Sequence, residues 1–424
     1  MSRIKELRKR KLPSSQLLLG MYVCEVDKPW EETTFLFQGF PLLSHADIDA
    51  VQQQCEYVYV DDTRFVAVTE SQQRHVIAES QDDEEKNRRE LRTGKKPLSQ
   101  TIEHARAVHQ RGSDLIKSAL HDIQLGRGLD VKACKSYVSE TVEQMLSNES
   151  AMLWFMRLKS QDEYTSQHCL SVSLLCIGFA RFLGYDKPEL KVIGLAGLLH
   201  DVGKMKVDMS ILNKPGKLSV EEFEHMKSHA QRGYELLLGH KDLPTSVVDV
   251  THAHHERLDG TGYPRGLTKE QIPHRAFIVS ICDVYDAITS HRVYDTARPP
   301  MEALKVLMKG RGSQFDDKLV VQFIEWLGVF PVGTLVRLHT DECGIVLESN
   351  ATYRLRPVVV VLRDANGKPC PPRRLNLAQV CVAPDGNPYK ISESIADGSY
   401  GLHANSDEVK ALLQQDVLEK LAAS

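Results

Sequence analysis

The sequence predicts a mainly α protein in which a multi-helix domain lies between a small α/β unit and a β-rich C-terminal extension. Three observations favour this fold class. Apolar residues recur at three- and four-residue spacing from about residue 100 to residue 327, which is the period of an amphipathic helix. Short apolar segments typical of strands occur before residue 68 and after residue 331. A charged stretch at 81–96, poor in apolar residues, separates the first unit from the helical region.

The N-terminal unit combines strand-like and helix-like segments. Residues 16–26 and 57–60 have strand-like patterns, and residues 46–55 favour a short helix. Gly39 and Pro41 interrupt the region between them. We therefore place a small regulatory or docking domain at 1–70 and a charged linker at 71–97.

The helical region is placed at 98–331. Beyond an apolar stripe at 100–123, helices are predicted at 162–183, 188–202, 219–238, 245–255, 275–289 and 301–309. Ser219 followed by Glu222 is typical of a capping box, and Pro188 suits a first helical turn. The stripe at 100–123 leaves a pairing between two protomers open, although packing within one chain is the commoner fate of such a surface.

The C-terminal extension, 332–424, favours strands and one final helix. Strands are predicted at 334–338, 344–347 and 358–362, with a turn at 364–367 where the sequence reads DANG. Residues 407–422 have the pattern of an amphipathic helix.

Composition excludes several classes of protein. The 53 basic and 57 acidic residues give a net charge of −4, which does not indicate a protein that binds nucleic acid through its phosphates. The nine cysteines form no CxxC pair, so the pattern favours a reducing compartment over a disulfide framework. The basic N-terminus lacks the apolar stretch of a secretory signal, and the apolar run at 171–183 is too short to span a bilayer. We expect a cytoplasmic protein without a membrane anchor.

Histidines and aspartates lie on otherwise apolar segments of the helical region. In chain order they are His168, His200, Asp201, His229, His254, His255 and Asp283. Because an unpaired charge in an apolar interior costs several kcal/mol, these side chains need partners. Imidazoles and carboxylates without thiolates are typical of a di-metal hydrolytic site, not of a structural zinc site.

The remaining histidines of this region receive a different interpretation. A lone histidine in a core is more often hydrogen-bonded than bound to a metal. We assign that role, or a surface position, to six of them: His121, His225, His240, His252, His274 and His291.

Four motifs in this region resemble those of the HD-GYP family. HDVGK at 200–204 is similar to HDxGK, HAQRG at 229–233 to HxxxG, HHERLDGTGYP at 254–264 to HHExxDGxGYP, and DVYDA at 283–287 to DxxDA. The resemblance extends over roughly residues 140–335. More loosely, residues 17–23 (LLLGMYV), Trp30 and residues 35–40 (FLFQGF) resemble a small domain of uncharacterised role that often precedes HD-GYP domains.

The resemblance implies an HD-type helical domain that hydrolyses a cyclic dinucleotide to the linear dinucleotide, using two divalent metal ions, iron or manganese. One ion would be held by His168, His200, Asp201 and Asp283, and the other by Asp201, His229, His254 and His255. Two such ions about 3.5–4 Å apart would supply a hydroxide that attacks phosphorus in line, while the bond from phosphorus to the 3′ oxygen breaks and that oxygen leaves. Asp201 would bridge the ions, and Lys204 would stabilise the transition state at the phosphate. A cation near a helix end is a common feature, and the position of Lys204 in the family motif favours the catalytic role over it.

The loop at 259–264 is implied to control access of the substrate and to contact diguanylate cyclase proteins. Asp259, Tyr263, Pro264, Lys204 and Arg292 are the substrate-binding residues that the resemblance implies. Gly260 and Gly262 are expected to adopt positive φ angles in this loop.

Two departures from the family pattern bear on metal number and substrate. Some members carry a glutamate that helps to bind a third metal, at the position of Tyr164 here, so we expect two metals. The family commonly reads TSDRPY and then a cation, whereas residues 289–295 read TSHRVYD, with His291 and Asp295 at the changed positions. Both cyclic di-GMP and 3′,3′-cyclic GMP-AMP therefore remain candidate substrates. A catalytically weak module that acts through protein partners and an HD nucleotide phosphohydrolase are the alternatives.

Overall fold

A computed structural model describes residues 9–28, 33, 40–42, 45–61, 96–156, 164–290, 298–350, 355–379, 382–414 and 417. The chain divides into two compact units, one formed by residues 1–90 and 350–356 and the other by residues 91–349 and 357–424. The predicted linker falls outside the described residues as far as residue 95.

The first unit is an antiparallel sheet with one helix. Its elements are β1 (Lys9–Pro13), β2 (Tyr22–Val26), β3 (Phe40–Pro41), α1 (His45–Gln54) and β4 (Tyr57–Asp61). The strands are ordered β1-β4-β2-β3. Val23, Val51 and Val58 are fully buried in its core, together with Leu42. Apolar residues that alternate along β2 and β4 thus account for this small core.

The predicted strand at 16–26 is wrong over its first half. Ser14–Gln16 forms a 3₁₀ turn, and only Tyr22–Val26 is a strand. Gly20 has a φ of 88° and donates its backbone N–H to the Leu42 carbonyl at 2.7 Å. This left-handed residue turns the chain before β2 begins, as glycine allows.

The second unit begins with long helices. They are α2 (Leu98–Gln124), α3 (Val131–Ser147), α4 (Glu149–Phe155), α5 (Tyr164–Phe182) and α6 (Lys187–Leu199). A 3₁₀ turn, Val202–Lys206, precedes α7 (Met209–Leu212), α8 (Val220–Lys227), α9 (His229–Leu238) and α10 (Thr245–Ala253). The last helices before the second sheet are α11 (His274–Thr289), α12 (Pro300–Lys309) and α13 (Asp317–Leu327).

Aromatic side chains join three of these helices. The ring of Phe179 on α5 meets Phe323 on α13 edge-on at 5.2 Å and stacks on Trp326 at 5.9 Å between centroids. Tyr285 on α11 meets Phe323 at 5.4 Å. Nearly every side of α5 is buried, and apolar residues occupy most of its positions.

Local signals set several helix ends. Asp186 caps α6 by accepting from the Glu189 N–H, and Pro188 lies in the first turn as predicted. The capping box of Ser219 and Glu222 is also confirmed at the start of α8. The single helix predicted at 219–238 is wrong, because the chain leaves the α-helical pattern at Ser228. The Ser228 N–H donates to the His225 carbonyl at 3.2 Å, and its hydroxyl donates to the same carbonyl at 2.6 Å.

The C-terminal part is a five-stranded antiparallel sheet followed by a short helix. Its elements are β5 (Leu335–Leu338), β6 (Cys343–Glu348), β7 (Val358–Arg363), β8 (Pro369–Asn376), β9 (Ile391–Ser394) and α14 (Asp407–Leu412). The order is β8-β7-β6-β5-β9. The sequence did not predict β8, which contains three prolines and lies at the edge of the sheet, where missing donors are tolerated.

The predicted fold class is confirmed: a mainly helical unit, a small α/β unit and a β-rich extension are all present. The final helix was predicted at 407–422, whereas α14 ends at Leu412. Residues 415–416 and 418–422 of the predicted range lie outside the described residues. In the described part of the chain, no helix has both the length and the apolar composition to cross a membrane. The cysteines described there are free thiols.

Candidate metal centre

Five helices and the turns that follow them bring the seven predicted residues together. His168 lies on α5, Asp283 on α11, and His229 begins α9. The other four follow helix ends: His200 and Asp201 after α6, and His254 and His255 after α10. All are buried except His255, which is partly exposed.

The seven side chains form two groups, and within each group all ligand atoms lie within 4.8 Å of one another. One group is His168, His200 and Asp283, and the other is Asp201, His229, His254 and His255. In the first group, Asp283 Oδ1 lies 3.1 Å from His168 Nε2 and 3.9 Å from His200 Nε2.

The carboxylate of Asp201 lies between the two groups. Its Oδ2 is 3.3 Å from His200 Nε2 and 3.5 Å from His168 Nε2. Its Oδ1 is 3.3 Å from His229 Nε2 and 3.7 Å from His254 Nε2. Each oxygen therefore faces a different pair of imidazoles, which is the arrangement that a bridging carboxylate requires.

Backbone carbonyls fix the tautomer of three histidines. The Nδ1 atoms of His200, His229 and His254 lie 2.8, 2.8 and 2.9 Å from the carbonyl oxygen three residues earlier. Because a carbonyl only accepts, each Nδ1 carries a proton and donates it. The Nε2 atom of each ring is left with a lone pair directed into the cluster, as in histidines that bind metals.

These inward-facing atoms lack donors of their own. His229 Nε2 and His254 Nε2 are 3.3 Å apart, so two lone pairs face each other. Over the residues that the structure describes, neither His200 Nε2 nor Asp201 Oδ1 has a hydrogen-bond partner, although both are buried. Buried acceptors without donors are costly, and a cation removes that cost for all of them. The residues therefore fit metal ions.

Charge keeps the carboxylates ionised despite their burial. Burial raises the pKa of Asp201, but Lys204 and His200 outweigh it and hold that pKa well below the usual range. Burial is likewise outweighed at Asp283, whose pKa is lowered by His168 and His200. Both aspartates are thus negatively charged at neutral pH, the form that binds a cation.

Three histidines of the cluster, His168, His229 and His255, differ in protonation state. Burial lowers the pKa of His229 to about 3 and that of His255 well below its usual value, so both rings are neutral. At His168, burial is outweighed by three carboxylates, those of Asp201, Asp283 and Asp286, which raise the pKa to about 10. A metal that binds His168 therefore has to displace a proton.

Asp286 orients His168 from behind, a role that the sequence analysis missed. Its Oδ2 lies 2.8 Å from His168 Nδ1 and accepts a hydrogen bond from the Ser290 hydroxyl at 3.1 Å. The signal was present in DVYDA, since Asp283 and Asp286 are three residues apart and lie on one face of α11. A carboxylate behind a ligand histidine is a recurrent second partner in metal sites.

Glycines allow the turn after Asp201 to lie directly against α9. A Cβ on Gly203 would come within 2.0 Å of the His229 carbonyl oxygen and 2.4 Å of the Gly233 nitrogen. A Cβ on Gly233 would lie 2.8 Å from Thr251 Cγ2. Both glycines of the HDVGK and HAQRG motifs therefore serve the close backbone approach that brings Asp201 and His229 together.

Glu256 anchors the loop that covers the cluster, and the sequence analysis did not select it. The residue is only 2% exposed. Its Oε1 accepts from the Arg265 N–H at 2.8 Å, and its Oε2 accepts from the Leu267 N–H at 2.9 Å. The carboxylate thus fastens the far end of the loop to the chain beside His255.

The expected backbone angles in this loop hold for one glycine. Gly260 has a φ of 73°. The expectation for Gly262 is wrong, because it lies outside the left-handed region, and a Cβ there would meet the Arg257 nitrogen at 2.4 Å and Glu256 Cα at 2.5 Å. Glycine is required at position 262 because a larger residue would collide with the backbone of Glu256 and Arg257, not because of its φ angle.

The remaining predicted substrate residues have distinct surroundings. The Tyr263 ring lies on His255 at 4.6 Å between centroids, and the exposed Pro264 follows it after a cis peptide bond. Asp259 contacts Arg257 at 3.0 Å and accepts from the Thr261 hydroxyl at 2.5 Å. Lys204 lies in the 3₁₀ turn, with Nζ 2.5 Å from Asp201 Oδ2. Arg292, His291 and Asp295 fall outside the described residues, as does the side chain of Tyr164.

We expect Glu256→Gln to loosen this loop without unfolding the chain. An amide nitrogen would face a backbone N–H, and a hydrogen bond to a charged group, worth about 1.5–3 kcal/mol, would be lost. Hydrogen exchange of the Arg265 and Leu267 amides should accelerate by about 10- to 100-fold. Glu270→Gln, at an exposed position of the same loop region, is the matched control. Unchanged exchange in the Glu256 variant would show that the glycines and Asp259 hold the loop alone.

Two family models match the chain. The model of the HD domain matches residues 140–319. The model of a domain of unknown function (DUF3391) matches residues 9–134. The first range contains all seven residues of the cluster.

Known proteins are similar over different lengths. A cyclic di-GMP phosphodiesterase of Pseudomonas aeruginosa is 36% identical over 377 residues, which cover 87% of this chain and 89% of that protein. A 3′3′-cGAMP-specific phosphodiesterase of Vibrio cholerae is 35% identical over 169 residues, covering 40% of this chain and 32% of that protein. A solved structure of an HDG"Y"P protein from Bdellovibrio bacteriovorus has a TM-score of 0.45 at 19% identity, covering 74% of this chain and 98% of the other.

Proposed function

Since the chain belongs to the HD-GYP family of HD-domain phosphodiesterases, we propose that it hydrolyses a cyclic dinucleotide to the linear dinucleotide in a metal-dependent reaction. The observation that carries this proposal is the Asp201 carboxylate, whose two oxygens face separate groups of imidazoles. That geometry suits two cations that act on one phosphodiester.

The proposed ligand sets follow the two groups. His168, His200 and Asp283 hold one ion together with Asp201, and Asp201, His229, His254 and His255 hold the other. We propose two ions, iron or manganese, because imidazole and carboxylate donors suit both metals. When bound, such ions neutralise charge on the phosphoryl oxygens and acidify a water molecule that serves as the nucleophile. Three tightly bound ions per chain in metal analysis would contradict the proposed number.

Lys204 and Tyr263 complete the proposed site. Lys204 places its ammonium group beside Asp201, where it stabilises negative charge that develops on the phosphate. Tyr263 covers His255 and limits the access of bulk water to the cluster.

The substrate is cyclic di-GMP or 3′,3′-cyclic GMP-AMP. The Pseudomonas relative, which matches over most of its length, is named for the first, and the Vibrio relative is named for the second. We propose cyclic di-GMP as the better substrate, because that similarity extends over the larger share of both chains. Arg292 remains the proposed contact to a phosphate or a guanine edge.

The test is a hydrolysis assay of the full chain with manganese or ferrous iron and both dinucleotides in parallel. We expect a linear dinucleotide from the wild-type protein, loss of activity with a chelator, and no product from the variant His200→Ala/Asp201→Ala. Faster cleavage of 3′,3′-cyclic GMP-AMP would reverse the proposed preference. If a metal-loaded chain cleaved neither compound, we would abandon this function and assign the chain as a module that acts through protein partners.

A further inference from the structure

An exposed helix lies beside the metal cluster and contributes none of its ligands. α8 ends at Lys227, two residues before His229, and none of its described residues is buried. Phe223 on this helix is 47% exposed, and Val220 at its start is 74% exposed. This helix therefore presents an accessible aromatic ring close in sequence to the candidate ligand His229.

Lys227 lies at the rim of the cluster, between two aromatic rings. Its Nζ is 5.4 Å from the centroid of Phe223 and 5.7 Å from that of Tyr263. The Tyr263 ring in turn lies 4.6 Å from the His255 ring and 6.3 Å from the His229 ring. The ammonium group is therefore separated from the metal-binding groups by one aromatic ring, and it differs in this from Lys204, which contacts Asp201 directly.

The pairing of Lys227 leaves it available to an anion. Its ion pair is with Glu224 Oε1 at 2.6 Å, on the same helix, and the Glu224 side chain is 62% exposed. The Lys227 side chain is 25% exposed. Because the Glu224 carboxylate is the exposed partner, the pair contributes little free energy, and a phosphate can replace that carboxylate at small cost. The strong hydration of the ammonium group is already reduced by the two rings.

We propose that Lys227 and Phe223 form a subsite for the nucleotide that is not being cleaved, with Lys227 on the second phosphodiester and Phe223 on the face of a purine. The proposal rests on the proposed function. A cyclic dinucleotide carries two phosphodiesters and two purines, and only one phosphodiester can lie at the metals. The other half of the ring must lie at the rim, where a cation and exposed aromatic rings are the groups that recognise a phosphate and a base.

The test compares KM with kcat. Lys227→Met keeps an unbranched apolar side chain and removes the charge, and we expect KM for the cleaved cyclic dinucleotide to rise about tenfold with kcat nearly unchanged. Lys227→Arg should restore most of the affinity, and Phe223→Leu should raise KM as well. Lys241→Met, at an exposed position after α9, is the matched control and should have no effect.

Hydrolysis of a small diester tells an effect on this subsite from an effect on the metal centre. Bis(p-nitrophenyl) phosphate has one phosphate and no second nucleotide, so Lys227→Met should leave its hydrolysis unchanged. Equal losses with both substrates, or a fall in kcat alone, would overturn the subsite and make Lys227 a support of Tyr263. An unchanged KM for the cyclic dinucleotide would overturn the subsite alone. A wild-type chain that cleaves only the small diester would overturn the proposed function and the subsite together.

Discussion

Asp201→Asn is expected to lower kcat/KM for the cyclic dinucleotide by at least about 10³-fold, because one substitution weakens both proposed metal sites. The amide keeps the shape of the side chain but loses the negative charge. It would also direct an N–H group at the Nε2 atom of either His200 or His229, each 3.3 Å from a carboxylate oxygen in the native protein. The measurements are steady-state kinetics and the metal content per chain, which should fall as well.

Asp249→Asn is the matched control, because Asp249 is exposed on α10 and lies outside the cluster. It should retain wild-type kinetics and metal content. An Asp201→Asn protein with both metals and near-normal turnover would show that no shared carboxylate is needed, and the two-ion proposal would have to be replaced.

The candidate ligands could be selected from the sequence because of where they occur. Asp201 and Asp283 follow apolar runs, and a charge in such surroundings requires a partner. The resemblance to the HD-GYP family implied which residues belong together, and the two groups in the structure divide in the same way around Asp201. Whether they bind metal and catalyse remains a prediction for the assays above.

What surrounds the ligands was harder to predict. The protonated Nδ1 atoms of His200, His229 and His254 depend on carbonyl groups that face them only once each helix end has formed. The role of Glu256 depends on backbone N–H groups nine and eleven residues away, which no residue pattern reports. Such contacts are set by the path of the chain and not by residue type.

Errors in the predicted elements have the same origin. The apolar spacing continues across Ser228, so periodicity alone predicts one helix where the hydroxyl of Ser228 and the path of the chain produce two. In β8, the prolines argued against a strand, and only the position at the sheet edge makes them acceptable. In both cases a tertiary arrangement decided an outcome that local sequence left open.

Gly203→Ala is the second substitution for which we expect a large effect. The three atoms nearest to the added methyl group would all be backbone atoms, namely the His229 carbonyl oxygen at 2.0 Å and Gly233 atoms at 2.4 and 2.8 Å. Because backbone cannot rotate away as a side chain does, the 3₁₀ turn must separate from α9. Overpacking of this kind costs about 1–3 kcal/mol or more, so the denaturant midpoint of unfolding should fall.

The same separation should impair catalysis more than stability. It moves His229 away from Asp201, and a displacement of about 1 Å in a catalytic group can cost about 10²-fold in rate. Gly239→Ala is the control, since Gly239 ends the same helix and its nearest atom to an added Cβ is the Leu236 carbonyl oxygen at 3.9 Å. That variant should keep both stability and turnover. If Gly203→Ala behaved like Gly239→Ala, the close contact between the turn and α9 would not be what holds Asp201 and His229 together.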